Sequence, residues 1–403
     1  MIPRTRYLDY IRPFIDKPLI KVITGVRRCG KSVFLAQIAD VLKDNGVNET
    51  NILLINKELL EFDFIKNYQD LYQFINGYFG NKPGKFYLFV DEVQEIGQWE
   101  RCIASLLAEN KTDIYITGSN ASMFSSELAT LLSGRYIQVM MYPFCFSEFF
   151  EMLQKSQSDA SIGMAFDRFI KFGGFPGIHV FDWEEIPVRQ FLESLYNTIL
   201  LKDIVVRHSV RDAYKLEKVS NFLIANCGSI TSANNLSLFL KSQLRKISVE
   251  TVQNYLAYTR DALLTHQVKR YDLKGKRILE TLEKYYVCDT GLRYALMGYP
   301  PENITGNLEN IVFLELLSRG YKVFIGKLNG FEVGFIAEKG SEKSYFQVCL
   351  TLADGKTIDR EYRALEAIDD HFPKYVLSLD SGFDTSRKGI RWMNIRDFLI
   401  NEQ

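Results

Sequence analysis

The segment GVRRCGKS, residues 25–32, constrains this chain more than any other part of its sequence. It fits the pattern GxxxxGK[ST] at every fixed position, follows the apolar run LIKVIT (19–24), and precedes apolar residues with helical spacing. A strand, a glycine-containing loop and a helix in this order form a phosphate-binding loop. The loop N–H groups and the positive helix end attract phosphate. The predicted nucleotide-binding residues are Gly25, Val26, Arg27, Arg28, Cys29, Gly30, Lys31, Ser32 and Val33.

Two carboxylates follow a second apolar run, KFYLFV (85–90), about sixty residues after the loop. This is the Walker B pattern, and Asp91 is predicted to bind Mg²⁺ while Glu92 polarises the water that attacks the γ-phosphate of ATP. Lys31 is predicted to reach the β- and γ-phosphates, and the Ser32 hydroxyl to share the magnesium ion. These residues predict Mg²⁺-dependent ATP hydrolysis.

Five apolar segments alternate with helical patterns in the first 140 residues, at 19–24, 51–56, 85–92, 112–117 and 136–140. This order predicts an α/β fold with a parallel sheet that helices cover on both faces. Ligands bind at the carboxyl ends of the strands in such sheets, where the polar residues of this chain fall.

Two further candidates have weaker signals. The turn at 118–120 closes the fourth strand, and either Asn120 or Ser119 is predicted to sense the γ-phosphate, although the same residues also suit a simple turn. Arg135 precedes the fifth strand, where an arginine can reach a neighbouring subunit's nucleotide or form an ordinary salt bridge.

Cys29 lies inside the loop beside Arg27, Arg28 and Lys31 and near the start of a helix. Such surroundings lower the pKa of a thiol. One hypothesis is therefore that thiol reagents block nucleotide binding at Cys29, and the other is that this cysteine fills space at a tolerant position.

Composition narrows the class of protein. The 403 residues are 47% hydrophobic, which supports folded cores, and 49 basic residues balance 49 acidic ones, so no global charge favours nucleic acid or membrane. The six cysteines form no CxxC pair, the N-terminus has no apolar leader, and no apolar stretch approaches about 20 residues. We expect a cytoplasmic protein without a membrane partner.

The motifs together resemble one group of bacterial and archaeal AAA+ ATPases that carry a C-terminal domain of unknown function. The resemblance rests on LIKVITGVRRCGKS, FVDEVQEI, ITGSNA, LLSGRY, FGGFP, KYYVCDTGLR and GNLENIVFLELLSRGY, which cover nearly the whole chain. It implies an ATP-binding, ATP-hydrolysing core and says little about the biological task.

Four domains are predicted: an AAA+ core at 1–155, a helical lid at 156–212, a winged-helix-like domain at 213–298 and a restriction-endonuclease-like domain at 299–403. Arg207 and Arg211 are candidates for a lid arginine that touches the nucleotide. Between 230 and 277, nine basic residues outnumber three acidic ones. This excess indicates either DNA contact or a protein-contact surface.

The restriction-endonuclease-like resemblance implies a magnesium site with a helix glutamate, a strand aspartate and a strand lysine. Glu309 matches the first position, but Gly334 stands at the aspartate place and Cys349 at the lysine place, after Gln347. Glu332 is a minor substitute. We therefore expect a catalytically degenerate scaffold.

Three functions remain in view. The first is an ATPase that drives or regulates a protein or DNA partner, and a second copy of the chain, in a homo-oligomer, is a further candidate partner. The second is an ATP-switched binding or signalling module with negligible turnover. The third, which Gly334 and Cys349 disfavour, is a DNA nuclease.

Overall fold

A computed structural model gives the arrangement of the chain and describes residues 2–80, 82–120, 132, 134–243, 247–299, 304–382 and 386–401. The chain divides into two compact units. The first contains the residues up to Tyr142 together with Asp261–Leu263, and the second contains Pro143–Arg260 and Leu264–Gln403.

The first unit is built on a five-stranded parallel sheet with the order β2-β3-β4-β1-β5. The strands are β1 (Ile20–Gly25), β2 (Ile52–Asn56), β3 (Phe86–Asp91), β4 (Thr112–Gly118) and β5 (Tyr136–Met141). The inner strands β1 and β3 are buried at every residue, whereas the edge strands β2 and β5 are partly exposed. The predicted α/β fold with a parallel core sheet is confirmed.

Helices cover this sheet because each places an apolar stripe against it. They are α1 (Thr5–Ile11), α2 (Lys31–Asp44), α3 (Tyr68–Phe79) and α4 (Trp99–Glu109). The buried side chains of α2 include Phe34, Ile38 and Leu42, as the helical spacing predicts, while Val33 is 41% exposed.

The register of the sheet brings its functional ends together. Thr24 lies opposite Gly118, and Asn56 lies opposite Asp91. Because all five strands are parallel, the loops after β1, β3 and β4 meet at one edge. The loop predicted to bind phosphate, the two carboxylates and the polar turn therefore share that edge.

The second unit begins with helices. They are α5 (Phe146–Ser156), α6 (Ile162–Phe172), α7 (Glu185–Thr198), α8 (Ala213–Ala225), α9 (Ala233–Ser242) and α10 (Val249–Asp261). A π-helix, Ile199–Val206, continues α7 without a break. Helices α6 and α7 lie within 156–212, the segment predicted as a helical lid, and α5, which the prediction assigned to the core, lies in the second unit.

An eight-stranded sheet organises the rest of the second unit, in the order β13-β12-β11-β10-β9-β7-β8-β6. Its strands are β6 (Ile230–Thr231), β7 (Thr265–Asp272), β8 (Arg277–Val287), β9 (Lys322–Leu328), β10 (Phe331–Lys339), β11 (Glu342–Val348), β12 (Lys374–Ser378) and β13 (Arg391–Asn394). The accompanying helices are α11 (Thr290–Met297), α12 (Ile304–Ser318), α13 (Gly355–Glu366) and α14 (Ile395–Ile400).

This sheet crosses the predicted boundary at 298/299. The hairpin β7–β8 belongs to the predicted winged-helix-like segment, yet β7 pairs in parallel with β9, with Arg270 opposite Ile325. The hairpin is therefore an inner part of a larger sheet.

Within the described ranges, no helix is long and apolar enough to cross a membrane.

Candidate nucleotide site

Two glycines shape the loop between β1 and α2. A Cβ at Gly25 would lie 2.5 Å from the Met141 carbonyl oxygen and 2.6 Å from Cys29 Sγ, so only glycine fits this close approach. Gly30 has a φ of 107°, a conformation that L side chains rarely adopt. Gly30 is the N-cap of α2 and carries no side chain that could satisfy the helix N–H groups, so those donors stay available for a phosphate.

Arg4 lies outside the loop pattern but holds the loop by a hydrogen bond to the backbone of Cys29. Its guanidinium is 2% exposed and donates from Nη1 to the Cys29 carbonyl at 3.0 Å and from Nη2 to the Tyr142 carbonyl at 2.8 Å. Its backbone N–H donates to Gln37 Oε1 at 3.0 Å, which ties the segment to α2. Nothing in the sequence distinguishes this arginine from other N-terminal basic residues.

Lys31 begins α2 and turns back over the loop. Its Nζ donates to the Gly25 carbonyl at 3.1 Å and lies 3.4 Å from Glu92 Oε1. Burial works against the charged amine, but Glu92 and neighbouring acidic groups outweigh it and raise the pKa of Lys31. The ammonium therefore stays charged at the place where phosphate oxygens are predicted.

Asp91 is the last residue of β3, and only one of its two carboxylate oxygens accepts hydrogen bonds. Thr117 donates from its hydroxyl to Oδ1, and the Ser32 hydroxyl also bonds this carboxylate. The other oxygen, Oδ2, is buried and has no hydrogen-bond partner. Burial raises the pKa of the Asp91 carboxyl. A buried unpaired carboxylate oxygen beside a serine hydroxyl fits a hard cation such as Mg²⁺.

Magnesium at this place would need ligands from elsewhere. Within the described ranges, no group of three or more His, Cys, Asp or Glu side chains could hold a metal ion. Magnesium in phosphate sites usually takes one or two protein ligands and completes its shell with phosphate oxygens and water. The Ser32 and Asp91 pair suits that coordination.

Glu92 follows in a left-handed conformation, with φ 53° and ψ 51°. Its N–H donates to Thr117 Oγ1 at 2.9 Å, so Thr117 contacts both the Asp91 carboxylate and the Glu92 backbone. Burial opposes ionisation, but Lys31, a hydrogen bond from Gln94 and Arg27 outweigh it and hold the pKa of Glu92 below its usual range. A carboxylate that stays ionised can act as a base. Sequence reasoning missed Thr117 because it lies inside β4.

Of the other polar residues predicted for this site, Ser119, Asn120 and Arg27 are buried, whereas Arg28 and Arg135 are exposed. Ser119 and Asn120 are both buried at the carboxyl end of β4, and Ser119 Oγ has no hydrogen-bond partner. Arg27 is buried with Nη1 3.5 Å from Glu58 Oε1, whereas Arg28 is exposed. Arg135 is exposed and precedes β5 at the amino-terminal edge of the sheet, where its carbonyl accepts a hydrogen bond from Ile20.

The hypothesis of a reactive Cys29 is wrong in its premise. The thiol is 0% exposed, and burial raises its pKa, an effect that Lys31 and Arg4 offset only in part. The charges beside Cys29 are visible in the sequence, whereas desolvation, which is the larger effect on its pKa, depends on the fold.

A cavity with a volume of about 560 Å³ lies in the second unit. It brings together the residues of the predicted degenerate site: Glu309, Glu332, Gly334, Gln347, Cys349 and, in addition, Glu361. Lys284 from β8 ion-pairs with Glu332 at 2.6 Å and lies 3.7 Å from Glu309. Glycine supplies no ligand, a thiol is too soft a ligand for Mg²⁺, and Lys284 already pairs with two of the acids, so these residues do not fit a magnesium site.

Comparisons of sequence and structure relate this chain to known proteins. A family model described as an AAA domain matches residues 17–150, and a domain of unknown function, DUF8612, matches residues 164–303. The Walker-type ATPase PABY2304 of Pyrococcus abyssi aligns with a TM-score of 0.47 at 14% identity, over 73% of this chain and 95% of its own. The ORC1 protein of Aeropyrum pernix in complex with DNA aligns with a TM-score of 0.35 at 10% identity, over 73% of this chain and 92% of its own.

Two relatives match over most of their length. An uncharacterised protein of Haemophilus influenzae is 37% identical over 401 residues, which are 99% of each chain. An uncharacterised protein of Methanocaldococcus jannaschii is 33% identical over 392 residues, which are 91% of this chain and 83% of that protein. The chain therefore belongs to the same family as these two proteins, and within it an AAA domain precedes the domain of unknown function DUF8612.

Proposed function

We propose that this protein binds ATP and hydrolyses it with Mg²⁺ as cofactor. The observation that carries the proposal is the convergence of a buried lysine and two buried carboxylates behind the phosphate loop. Lys31 Nζ lies 3.4 Å from Glu92, and Asp91 Oδ2 has no partner. A nucleotidase needs a phosphate-binding cation, a metal holder and a water-positioning base, and these three residues can fill the three roles.

The residues would act as follows. Lys31 exchanges the Gly25 carbonyl and Glu92 for the β- and γ-phosphate oxygens, and the N–H groups of the loop surround the phosphates. Ser32 and Asp91 would hold Mg²⁺, which when bound neutralises charge on the phosphate oxygens. Glu92, released from Lys31, accepts a hydrogen bond from the attacking water. Ser119 is the favoured γ-phosphate sensor over Asn120 because its hydroxyl is buried without a partner.

The test is steady-state ATP turnover by wild type and Glu92→Gln, together with nucleotide binding. We expect kcat to fall about 100-fold or more while ATP affinity stays within a few-fold, since general-base catalysis contributes about 10²–10⁴. Glu61→Gln, an exposed change of the same chemistry in the same unit, is the control. Equal turnover in Glu92→Gln and wild type would refute the role of Glu92.

The switch function is the alternative for the same site. Lys31 and Gln94 contact the two carboxylate oxygens of Glu92. If these contacts persist when ATP is bound, Glu92 has no oxygen left to accept a proton from water. Tight ATP binding by wild type with no turnover, with or without duplex DNA, would replace hydrolysis by the switch.

We also propose DNA contact through the second unit. The order α8, β6, α9, α10, β7, β8 is that of a winged helix, and Lys274, Lys276 and Arg277 are exposed at the turn of the β7–β8 hairpin. The two further basic residues at 245 and 246 lie outside the described residues. Replacing the three hairpin residues with alanine should weaken duplex retention, and the slope of log K against log salt should fall by about 0.9 per lost phosphate contact. Unchanged retention and slope would favour a protein partner instead.

A further inference from the structure

Gln94 lies two residues after Glu92, in the short 3₁₀ turn Val93–Glu95 that follows β3. Its side-chain amide faces the carboxylate, because Nε2 donates a hydrogen bond to Glu92 Oε2. Its carbonyl oxygen, Oε1, is buried and has no hydrogen-bond partner. Leaving a buried acceptor unpaired costs about 1–3 kcal/mol, so such an atom in a folded protein calls for an explanation.

Both carboxylate oxygens of Glu92 and its backbone N–H have partners that hold the residue in place. Oε1 faces Lys31 at 3.4 Å, Oε2 accepts from Gln94, and the backbone N–H donates to Thr117 Oγ1 at 2.9 Å. When Lys31 turns to a phosphate, it releases Oε1 only. The Gln94 and Thr117 contacts keep the rest of the residue in place.

We propose that Gln94 is a positioning residue for the ATP hydrolysis proposed above, on which this inference rests. It holds Glu92 Oε2 so that the released Oε1 faces the attacking water, and its own free Oε1 accepts the second hydrogen bond of that water. A water molecule donates two hydrogen bonds, and the two acceptors together orient its lone pair towards the γ-phosphorus.

The chemical step itself leaves Gln94 unchanged. The water oxygen forms a bond to the γ-phosphorus as the bond from that phosphorus to the bridging oxygen breaks. ADP leaves with the electron pair of the broken bond, and the proton displaced from the water passes to Glu92. The amide of Gln94 neither gains nor loses a proton.

The experiment compares wild type, Gln94→Leu and Gln94→Glu in ATP turnover and in binding of a fluorescent ATP analogue. Gln94→Leu keeps the approximate size and removes both the donor and the acceptor. We expect its kcat to fall about 10- to 100-fold while the KM and the analogue affinity change less than about threefold. Gln69→Leu, the same substitution at an exposed position on α3, should match wild type.

Gln94→Glu tests the contact with Glu92 through the pH–rate profile, which would not change if Gln94 only stabilised the fold. A second carboxylate beside Glu92 makes ionisation of the pair harder, so the acidic limb of the pH–rate profile should shift to higher pH. Activity in this variant should recover as the pH rises. An unshifted profile overturns the proposal.

The outcomes separate the two claims. If wild type binds ATP and shows no turnover, the proposed hydrolysis and this inference both fail. If wild type is active and Gln94→Leu equals Gln69→Leu, only the inference fails. If Gln94→Leu loses analogue binding, Gln94 supports the loop rather than Glu92, which also overturns the inference.

Discussion

At the scale of single residues, desolvation decides what the charged loop can do. Cys29 and Lys31 lie two positions apart among the same charges, yet burial raises the pKa of the thiol while the acidic neighbours of Lys31 keep the amine protonated. The difference arises because Lys31 has an ionised partner, Glu92, which outweighs its burial, whereas Lys31 and Arg4 offset the burial of Cys29 only in part.

This difference predicts the pattern of thiol labelling. Five of the six cysteines are buried and Cys145 is half-buried, so an alkylating reagent should label Cys145 in the folded protein well before Cys29. ATP should leave the Cys29 rate unchanged because the loop already covers the thiol. Peptide mass spectrometry after timed alkylation measures each site, and denatured protein, in which all six react, is the control. Rapid labelling of Cys29 that ATP prevents would contradict this prediction.

The residues that the sequence identified are those whose chemistry is tied to a pattern. Lys31, Ser32, Asp91 and Glu92 follow a loop or a strand in a fixed order, and the structure brings them together. Arg4 and Thr117 were missed because their roles depend on which backbone carbonyl or carboxylate the fold places beside them. Such contacts have no signature in spacing.

At the scale of elements, the predicted strands of the first unit agree with the observed ones within one or two residues. Buried parallel strands are continuous apolar runs, which are easy to recognise. In the second unit β13, with the sequence RWMN, was missed because one exposed and three half-buried residues carry no such pattern. The merging of β7 with β9 was missed because pairing between distant strands leaves no local signal.

In the second unit, the Asp289 carboxylate links two of the sequence motifs by hydrogen bonds. Asp289 accepts hydrogen bonds from the Gly174 N–H at 2.7 Å and from the Gly291 N–H at 2.8 Å, and it caps α11. It thereby joins the FGGFP segment after α6 to the CDTG segment before α11. Burial raises the pKa of Asp289 to about 7, and the two hydrogen bonds offset this only in part.

The raised pKa predicts how stability changes with pH. The native state holds the Asp289 proton up to about pH 7, whereas the unfolded chain releases it near pH 4, so this residue's contribution is full below pH 4 and is lost as the pH rises to 7. The loss amounts to a few kcal/mol, since one pKa unit corresponds to about 1.4 kcal/mol. Urea-unfolding midpoints of wild type and Asp289→Asn between pH 4 and 8 measure it.

The informative quantity is the difference in unfolding free energy between wild type and Asp289→Asn at each pH. His179 and His266, whose pKa values burial lowers to about 4, change stability with the opposite sign over a similar range and are present in both. The difference in unfolding free energy should favour wild type most at low pH and shrink towards pH 7. A difference that is constant with pH would show that Asp289 is ionised throughout.

At the scale of the whole molecule, the parallel sheet separates Arg135 from the proposed nucleotide site of its own chain. Ile20 pairs with Tyr136 at one end of β1, and Gly25 pairs with Met141 at the other. Arg135 precedes this pairing and the phosphate loop follows it, so about six residues of strand, roughly 20 Å, lie between them. A catalytic role for Arg135 therefore requires a second copy of the chain.

That requirement leads to a mixing experiment. If Arg135 stabilises charge at a neighbour's γ-phosphate, Arg135→Ala and Lys31→Ala should each lose most ATP turnover, because one lacks the arginine and the other lacks the phosphate site. A mixture should regain part of the activity, since Lys31→Ala subunits lend Arg135 to the intact sites of their neighbours. Arg101→Ala, a change of another exposed arginine in the same unit, serves as the control and should be active alone. If Arg135→Ala is fully active, or if the mixture equals the sum of its components at every protein concentration, Arg135 belongs to an ordinary surface and each chain hydrolyses ATP without help from a neighbour.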